Sequence, residues 1–210
     1  MDLQLIGIIV VALCGVSLIY TEVQKRLVFA KYERLFGQGD FEGCVRLLAR
    51  PLVRFSFPRY NLLYMRLNAQ MCLADADASR AIIDEMLGLR TSDEQRLVLL
   101  LRAFNFFIEQ EDYPRAKELL EELRQKAAPE QLAECERTYA IFAEKSSAYI
   151  KQMERELDGA KTADKAKLLY LLSAQYENRG DAKRANECLD RIQALIEAAA
   201  PAQAGDNEKR

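Results

Sequence analysis

The sequence predicts an all-α fold, with a single N-terminal transmembrane helix followed by an α-solenoid of about five helical hairpins. Three observations support this prediction. Ala, Leu, Glu, Lys and Arg make up just over half of the 210 residues, which is typical of long helices and helical repeats. The chain begins with a long uncharged apolar segment. Polar turns then recur along the chain at an interval of about 35 residues, which is the range of helical-hairpin repeats.

The N-terminal segment 3–21 contains no charged residue. As a helix it would span roughly 28 Å, which is close to the thickness of the hydrocarbon core of a bilayer. A cleaved signal peptide would need a basic start and small residues at a cleavage site, and neither is present. A lipoprotein signal would need a small residue before Cys14, where Leu13 stands. A buried core helix is the remaining alternative, and we favour an uncleaved transmembrane anchor over residues 1–22.

The basic residues that follow this segment predict its orientation. Lys25, Arg26, Lys31 and Arg34 come directly after it, and no Lys or Arg precedes it. By the positive-inside rule the protein is expected to be a single-pass membrane protein whose C-terminal domain, residues 23–199, faces the cytoplasm. The five cysteines form no C-x-x-C pair, which agrees with a reducing compartment.

Positive charge is concentrated next to the predicted anchor. Residues 21–70 carry nine basic and four acidic groups, whereas residues 71–210 have an excess of acids. Arg46, Arg50 and Arg54 are spaced to form one stripe if they lie on a single helix. These side chains have two interpretations: contact with the lipid bilayer, or an ordinary solvated face. The candidate lipid-headgroup residues are Lys25, Arg26, Arg46, Arg50, Arg54 and Arg59.

Acidic turn residues mark the repeat. They fall at Asp40, Asp77, Asp112 and Asp181, at intervals of 37, 35 and 69 residues, so a further turn is expected near residues 146–147. Each acid is expected to cap the second helix of a hairpin by accepting hydrogen bonds from free N–H groups. Small residues about four positions later would let the two helices approach closely, and the candidates are Ala81, Ala116 and Ala185.

Two segments, 100–120 and 169–189, share an apolar helix, an aromatic residue five positions before an acid, a tight turn and a second helix. This pattern resembles the tetratricopeptide repeat family, whose period is about 34 residues, and the resemblance covers roughly residues 24–197. Phe104 stands where that family has a small residue, and plain α-hairpin repeats of a related kind remain open. Residues 200–210 are expected to form a disordered tail.

Catalytic chemistry has no support in the sequence. The chain contains no His, which excludes His-based triads and His zinc sites, and it has no nucleotide-binding or nucleophile-elbow motif. Acidic pairs are interpreted as solvated helix faces. Aromatic residues such as Phe104, Phe107 and Tyr170 are interpreted as the core of the repeats or, in part, as the lining of a groove. We therefore expect no enzyme activity, cofactor, metal site or small-molecule substrate. The net charge of −2 argues against nucleic-acid binding.

The resemblance implies a binding function. In the tetratricopeptide family the first helices of the hairpins line a concave groove that holds a peptide or helix of a partner. The matching groove positions are Arg66, Gln70, Asn105, Glu109, Glu177 and Asn178. The expected function is a non-enzymatic, membrane-tethered scaffold or adaptor for protein partners. The alternative is a structural or assembly subunit of a membrane-protein complex whose anchor helix packs with other spans.

Overall fold

The computed structural model describes residues 22–199. In this range every regular element is a helix, which confirms the all-α prediction. The chain divides into two compact units between Leu99 and Leu100. The helices are α1 (22–37), α2 (Phe41–Leu48), α3 (Pro51–Ser56), α4 (Arg59–Cys72), α5 (Ala76–Leu87), α6 (Asp93–Glu109), α7 (Tyr113–Lys126), α8 (Pro129–Phe142), α9 (Ile150–Gly159), α10 (Thr162–Asn178) and α11 (Ala182–Ala199).

The predicted fold class is wrong in its transmembrane part. Across residues 22–199, no helix has the length and apolar character needed to cross a membrane. The physical reason is that these helices are short or are interrupted by charged residues: α11, the longest one described, carries charged side chains on successive turns from Lys183 to Glu197. Residues 1–21, which suggested the anchor, lie outside the described residues. The predicted tail, residues 200–210, lies outside them as well. The localisation that was inferred from that segment stays a prediction.

The first unit is built on two helical hairpins. The turn after α1 leads into α2, and α4 packs against both α2 and α5. The hydroxyl of Tyr32 in α1 donates a hydrogen bond to the backbone carbonyl of Met65 in α4 at 2.8 Å. Burial raises the pKa of Tyr32, so this hydroxyl stays a donor. The core around this bond contains Tyr32, Cys44, Leu47, Leu48, Val53, Met65 and Ala69.

The second unit contains the later hairpin turns. α7 packs against α8, and α10 packs against α8, α9 and α11. Phe104 and Phe107 of α6 are fully buried, which confirms that they are core residues. Gln175 is also fully buried, and its side-chain oxygen accepts a hydrogen bond from the backbone N–H of Tyr149 at 3.0 Å. A core at the α8–α11 end includes Ile141, Ile150, Met153, Leu157, Leu169, Leu172, Tyr176 and Ala185.

One turn geometry closes four of the hairpins. The backbone N–H of an aspartate donates to the carbonyl five residues earlier at 2.8–3.1 Å, which ends the first helix. The carboxylate of the same residue accepts from the N–H three residues later at 2.7–3.4 Å, which caps the second helix. The residue before each aspartate has a positive φ. The aspartates are Asp40, Asp75, Asp112 and Asp181.

The second of these turns corrects two sequence predictions. Its cap is Asp75, not Asp77, because Ala74 takes the positive φ of 56° and the helix begins at Ala76. The small buried residue four positions after the cap is consequently Ser79, and Ala81 is exposed. The equivalent positions in the other three turns are Cys44, Ala116 and Ala185, all buried.

The remaining turn, which is the fourth along the chain, lies where the interval predicted it. It contains more residues than the other four turns. Lys145 has a φ of 54°, and the N–H of Ser146 donates to the carbonyl of Ala140 at 2.9 Å. α9 begins only at Ile150, so the turn occupies residues 143–149. Counted by their positive-φ residues, the five turns fall at positions 39, 74, 111, 145 and 180, which gives intervals of 34 to 37 residues.

Candidate partner-binding face of the second unit

Tyr170 in α10 is the centre of the candidate site. Its neighbours Leu169 and Leu171 are buried, and the helical rotation of 100° per residue directs Tyr170 outward, where its side chain is 52% exposed. The ring lies 5.7 Å from the ring of Phe142 at the end of α8. Of the two interpretations of Tyr170, the structure excludes packing in the core and leaves the lining of a groove.

Two acidic side chains from different helices lie near Tyr170. Partial burial is the main cause that raises the pKa of Tyr170, and the negative charges of Glu109 in α6 and Glu177 in α10 raise it further. The hydroxyl of Tyr113 contributes in the same direction. Glu109 and Tyr113 of the third hairpin therefore act electrostatically on a side chain of the fifth hairpin.

The edge of the site is formed by helix ends. Glu109 is the last residue of α6 and Glu177 the last but one of α10. A helix C-terminus carries a partial negative charge, which makes an acid there locally unfavourable. The ammonium of Lys145, in the turn after α8, lies 5.8 Å from the centre of the Tyr113 ring. We name this surface the Tyr170 face, and it comprises Glu109, Tyr113, Phe142, Lys145, Tyr170 and Glu177.

The structure brings together only part of the predicted groove. Glu109 and Glu177 are exposed and both act on the pKa of Tyr170, and Asn105 is exposed one turn before Glu109 on α6. Asn178 is half-buried instead. Its amide donates to the carbonyls of Ile141 at 2.8 Å and Ser146 at 3.1 Å. Asn178 therefore holds the wide turn in place.

The remaining two groove candidates belong to the first unit. Arg66 is exposed on α4. Gln70 is buried, and within the described residues its side-chain oxygen has no hydrogen-bond partner. Its backbone carbonyl accepts the N–H of Asp75 in the repeated turn. Gln70 is thus part of the hairpin interior and offers no exposed group to a partner.

The predicted stripe of arginines is not formed. α2 ends at Leu48, and Pro51 starts the separate helix α3, in which Arg50 is the N-terminal flanking residue. Proline fits the first helical position because its missing N–H needs no partner there. Arg46 consequently lies on α2, whereas Arg54 lies on α3, and the three arginines do not share one helix face.

Ion pairs divide the six lipid-headgroup candidates. Lys25 and Arg26 lie 3.7 Å and 3.8 Å from the carboxylate of Glu22. Arg46 lies 3.1 Å from the carboxylate of Glu42 and 3.7 Å from that of Asp40. Arg59 donates hydrogen bonds of 2.7 and 3.0 Å to the carboxylate of Glu85. Arg50 and Arg54 are exposed and have no acidic partner in the range 22–199.

Within residues 22–199, no three Cys, Asp or Glu side chains are grouped so that they could hold a metal ion.

No family model, no curated protein and no solved structure matches this chain. The resemblance to the tetratricopeptide repeat thus stays a prediction that depends on the repeated turn and its interval.

Proposed function

We propose that this protein is a non-enzymatic scaffold that binds a peptide or helix of a partner protein through the Tyr170 face. The observation that carries the proposal is the half-exposed ring of Tyr170, which lies 5.7 Å from the Phe142 ring and whose pKa is raised in part by the negative charges of Glu109 and Glu177. Tyrosine is enriched in protein interfaces because its ring supplies apolar contact and its hydroxyl a hydrogen bond.

The face carries two carboxylates against the single ammonium group of Lys145, and this excess of negative charge favours a partner segment with a basic side chain. Glu109 and Glu177 lie at helix ends whose dipoles add to their negative potential, and the last turns of α6 and α10 contain no basic residue. A guanidinium or ammonium group placed there would contact carboxylates and the face of an aromatic ring. Acids that are unfavourable for their own helices are consistent with a binding role.

The repeated hairpins support the same function. The helices α6, α8 and α10 are the first helices of three successive hairpins. In the tetratricopeptide repeats that the sequence resembles, such helices bind partner segments. The alternative of an assembly subunit depends on the N-terminal segment outside the described residues, and no contact within 22–199 favours it.

Site-specific photo-crosslinking tests the proposal. A photoreactive phenylalanine analogue placed at position 170 of the full chain should crosslink to a partner protein in cells. The same analogue at position 189, where Leu189 is exposed on α11, serves as the positional control. The double charge reversal Glu109→Lys and Glu177→Lys should abolish the adduct, because two attractive carboxylates become repulsive.

The matched control for charge is the reversal of two exposed acids on α11, Glu187→Lys and Asp190→Lys, which should preserve the adduct. The proposal is wrong if the adduct survives reversal of Glu109 and Glu177. It is also wrong if position 189 yields the same adduct in the same amount.

A further inference from the structure

The short helix α3 exposes two large apolar side chains. Leu52 is 80% exposed and Phe55 is 92% exposed. They are three residues apart and therefore share one face of the helix. Val53 is buried in the core of the first unit, which fixes the orientation of α3 with that face outward. Two large apolar side chains that are exposed next to each other indicate a site of contact with an apolar surface of a partner or a membrane.

The ends of α3 are set by two prolines. Pro51 starts the helix, and Phe57 precedes Pro58 with the extended backbone that a following proline imposes. The carbonyl of Leu52 accepts a hydrogen bond from the hydroxyl of Ser56 at 2.7 Å. The apolar pair thus stands on a defined helical turn.

The chain segment that contains α3 has no acidic residue of its own. Residues 43–74 contain five arginines and no Asp or Glu. Arg50 and Arg54 directly flank the apolar pair, and in the part of the chain that the structure describes neither forms an ion pair. Arg46 and Arg59, by contrast, are neutralised by Glu42 and Glu85. Of the five arginines, Arg50, Arg54 and Arg66 form no ion pair within the described residues, and Arg50 and Arg54 are the two that lie next to Leu52 and Phe55 in the sequence.

We propose that α3 contacts an anionic lipid surface, with Leu52 and Phe55 inserted among the headgroups and with Arg50 and Arg54 against lipid phosphates. Two apolar side chains on a six-residue helix offer much less than the surface of about 800 Å² per partner that a stable protein complex buries. A lipid surface needs only shallow apolar insertion and basic residues near the phosphates. This proposal is independent of the Tyr170 face.

The absence of Trp from the sequence makes the test specific. In the full chain, Phe55→Trp introduces one fluorophore at the predicted contact. Vesicles of phosphatidylcholine containing phosphatidylglycerol should shift its emission to shorter wavelength and expose it to quenching by brominated lipid. Vesicles of phosphatidylcholine alone should leave its emission unchanged. Ile196→Trp, at an exposed position on α11, should respond to neither kind of vesicle.

The arginines are tested in the Phe55→Trp background. Since a basic residue near an anionic surface contributes about 1 kcal/mol, removing Arg50 or Arg54 with glutamine should raise the lipid concentration for half-maximal shift about fivefold. Removing both should raise it about 25-fold. Arg46→Gln, which removes an arginine already paired with Glu42, is the matched control and should change it much less.

Three results would overturn the proposal. The first is an emission that does not respond to anionic vesicles. The second is an equal shift with neutral vesicles, which would mean that Arg50 and Arg54 recognise no lipid charge. The third is a shift that depends on protein concentration without vesicles, which would assign Leu52 and Phe55 to a contact between copies of this chain.

Discussion

The amide nitrogen of Asn178 lies 3.1 Å from the backbone carbonyl oxygen of Ser146, to which it donates a hydrogen bond. The same nitrogen lies 2.8 Å from the carbonyl oxygen of Ile141. Ser146 belongs to the one wide turn, which has no aspartate cap. A side chain from the end of α10 therefore satisfies one carbonyl at the end of α8 and one in the turn that follows it.

Asn178→Ala should destabilise the second unit by about 1–3 kcal/mol, because it leaves two partly buried carbonyls without a donor. The loss is measured as a lower midpoint in urea denaturation of the full chain, followed by circular dichroism. Asn105→Ala removes an exposed amide and should leave the midpoint nearly unchanged. Equal midpoints for the two variants would mean that Asn178 does not hold the turn.

In the second hairpin turn, Asp75 caps the following helix and Asp77 does not, so substitutions of the two aspartates should differ in their effect on stability. Asp75→Ala should cost about 1 kcal/mol, since the carboxylate caps α5 through the N–H of Ala78 at 3.0 Å. Asp77→Ala should cost only a few tenths of a kcal/mol, because Asp77 acts merely through its charge in the first helical turn. Thermal unfolding of both variants side by side measures the difference. A larger loss of stability for Asp77→Ala than for Asp75→Ala would mean that Asp77 is the capping residue, as the intervals in the sequence had suggested.

The interval between turns could be predicted from the sequence, but the capping residue in the second turn could not. In Ala74–Asp75–Ala76–Asp77 both acids have the right chemistry, and their positions differ by only two residues. The choice depends on which residue takes the positive φ, and Ala74 gives no compositional signal, in contrast to Gly39 and Gly180. Local composition alone leaves such a turn undetermined.

The small residue after each cap determines how closely the two helices of a hairpin approach. Ala116→Leu should destabilise the protein by about 1–3 kcal/mol, since Ala116 is fully buried and the added atoms have no space. Ala81→Leu changes an exposed helical position and should have little effect. Thermal unfolding midpoints compare the two. If Ala116→Leu were as stable as the unaltered protein, the hairpin core would be loosely packed at this position.

The exposed features followed from tertiary structure that the sequence does not reveal. Tyr170 lies in the apolar run Leu168–Leu172, so that its exposure depends on which side of α10 meets α9 and α11. Leu52 and Phe55 resemble core residues in sequence, and only the buried position of Val53 directs them outward. Glu109 and Glu177, by contrast, were predicted from the repeat, because both lie near the end of the first helix of a hairpin, in the third and the fifth hairpin.

The cysteines should differ sharply in reactivity. Cys72 is exposed, whereas Cys44, Cys135 and Cys188 are buried, and burial raises the pKa of each of these three thiols, for Cys135 to about 11. The thiolate is the reactive form, so at pH 8 only about a thousandth of Cys135 is available to an alkylating reagent. Iodoacetamide at pH 8 should therefore label Cys72 first, as read by mass spectrometry of the separated peptides. Unfolding in urea removes both the burial and the pKa shift, so the four rates should converge there. Native labelling of Cys135 as fast as that of Cys72 would show that the helices around Cys135 open readily.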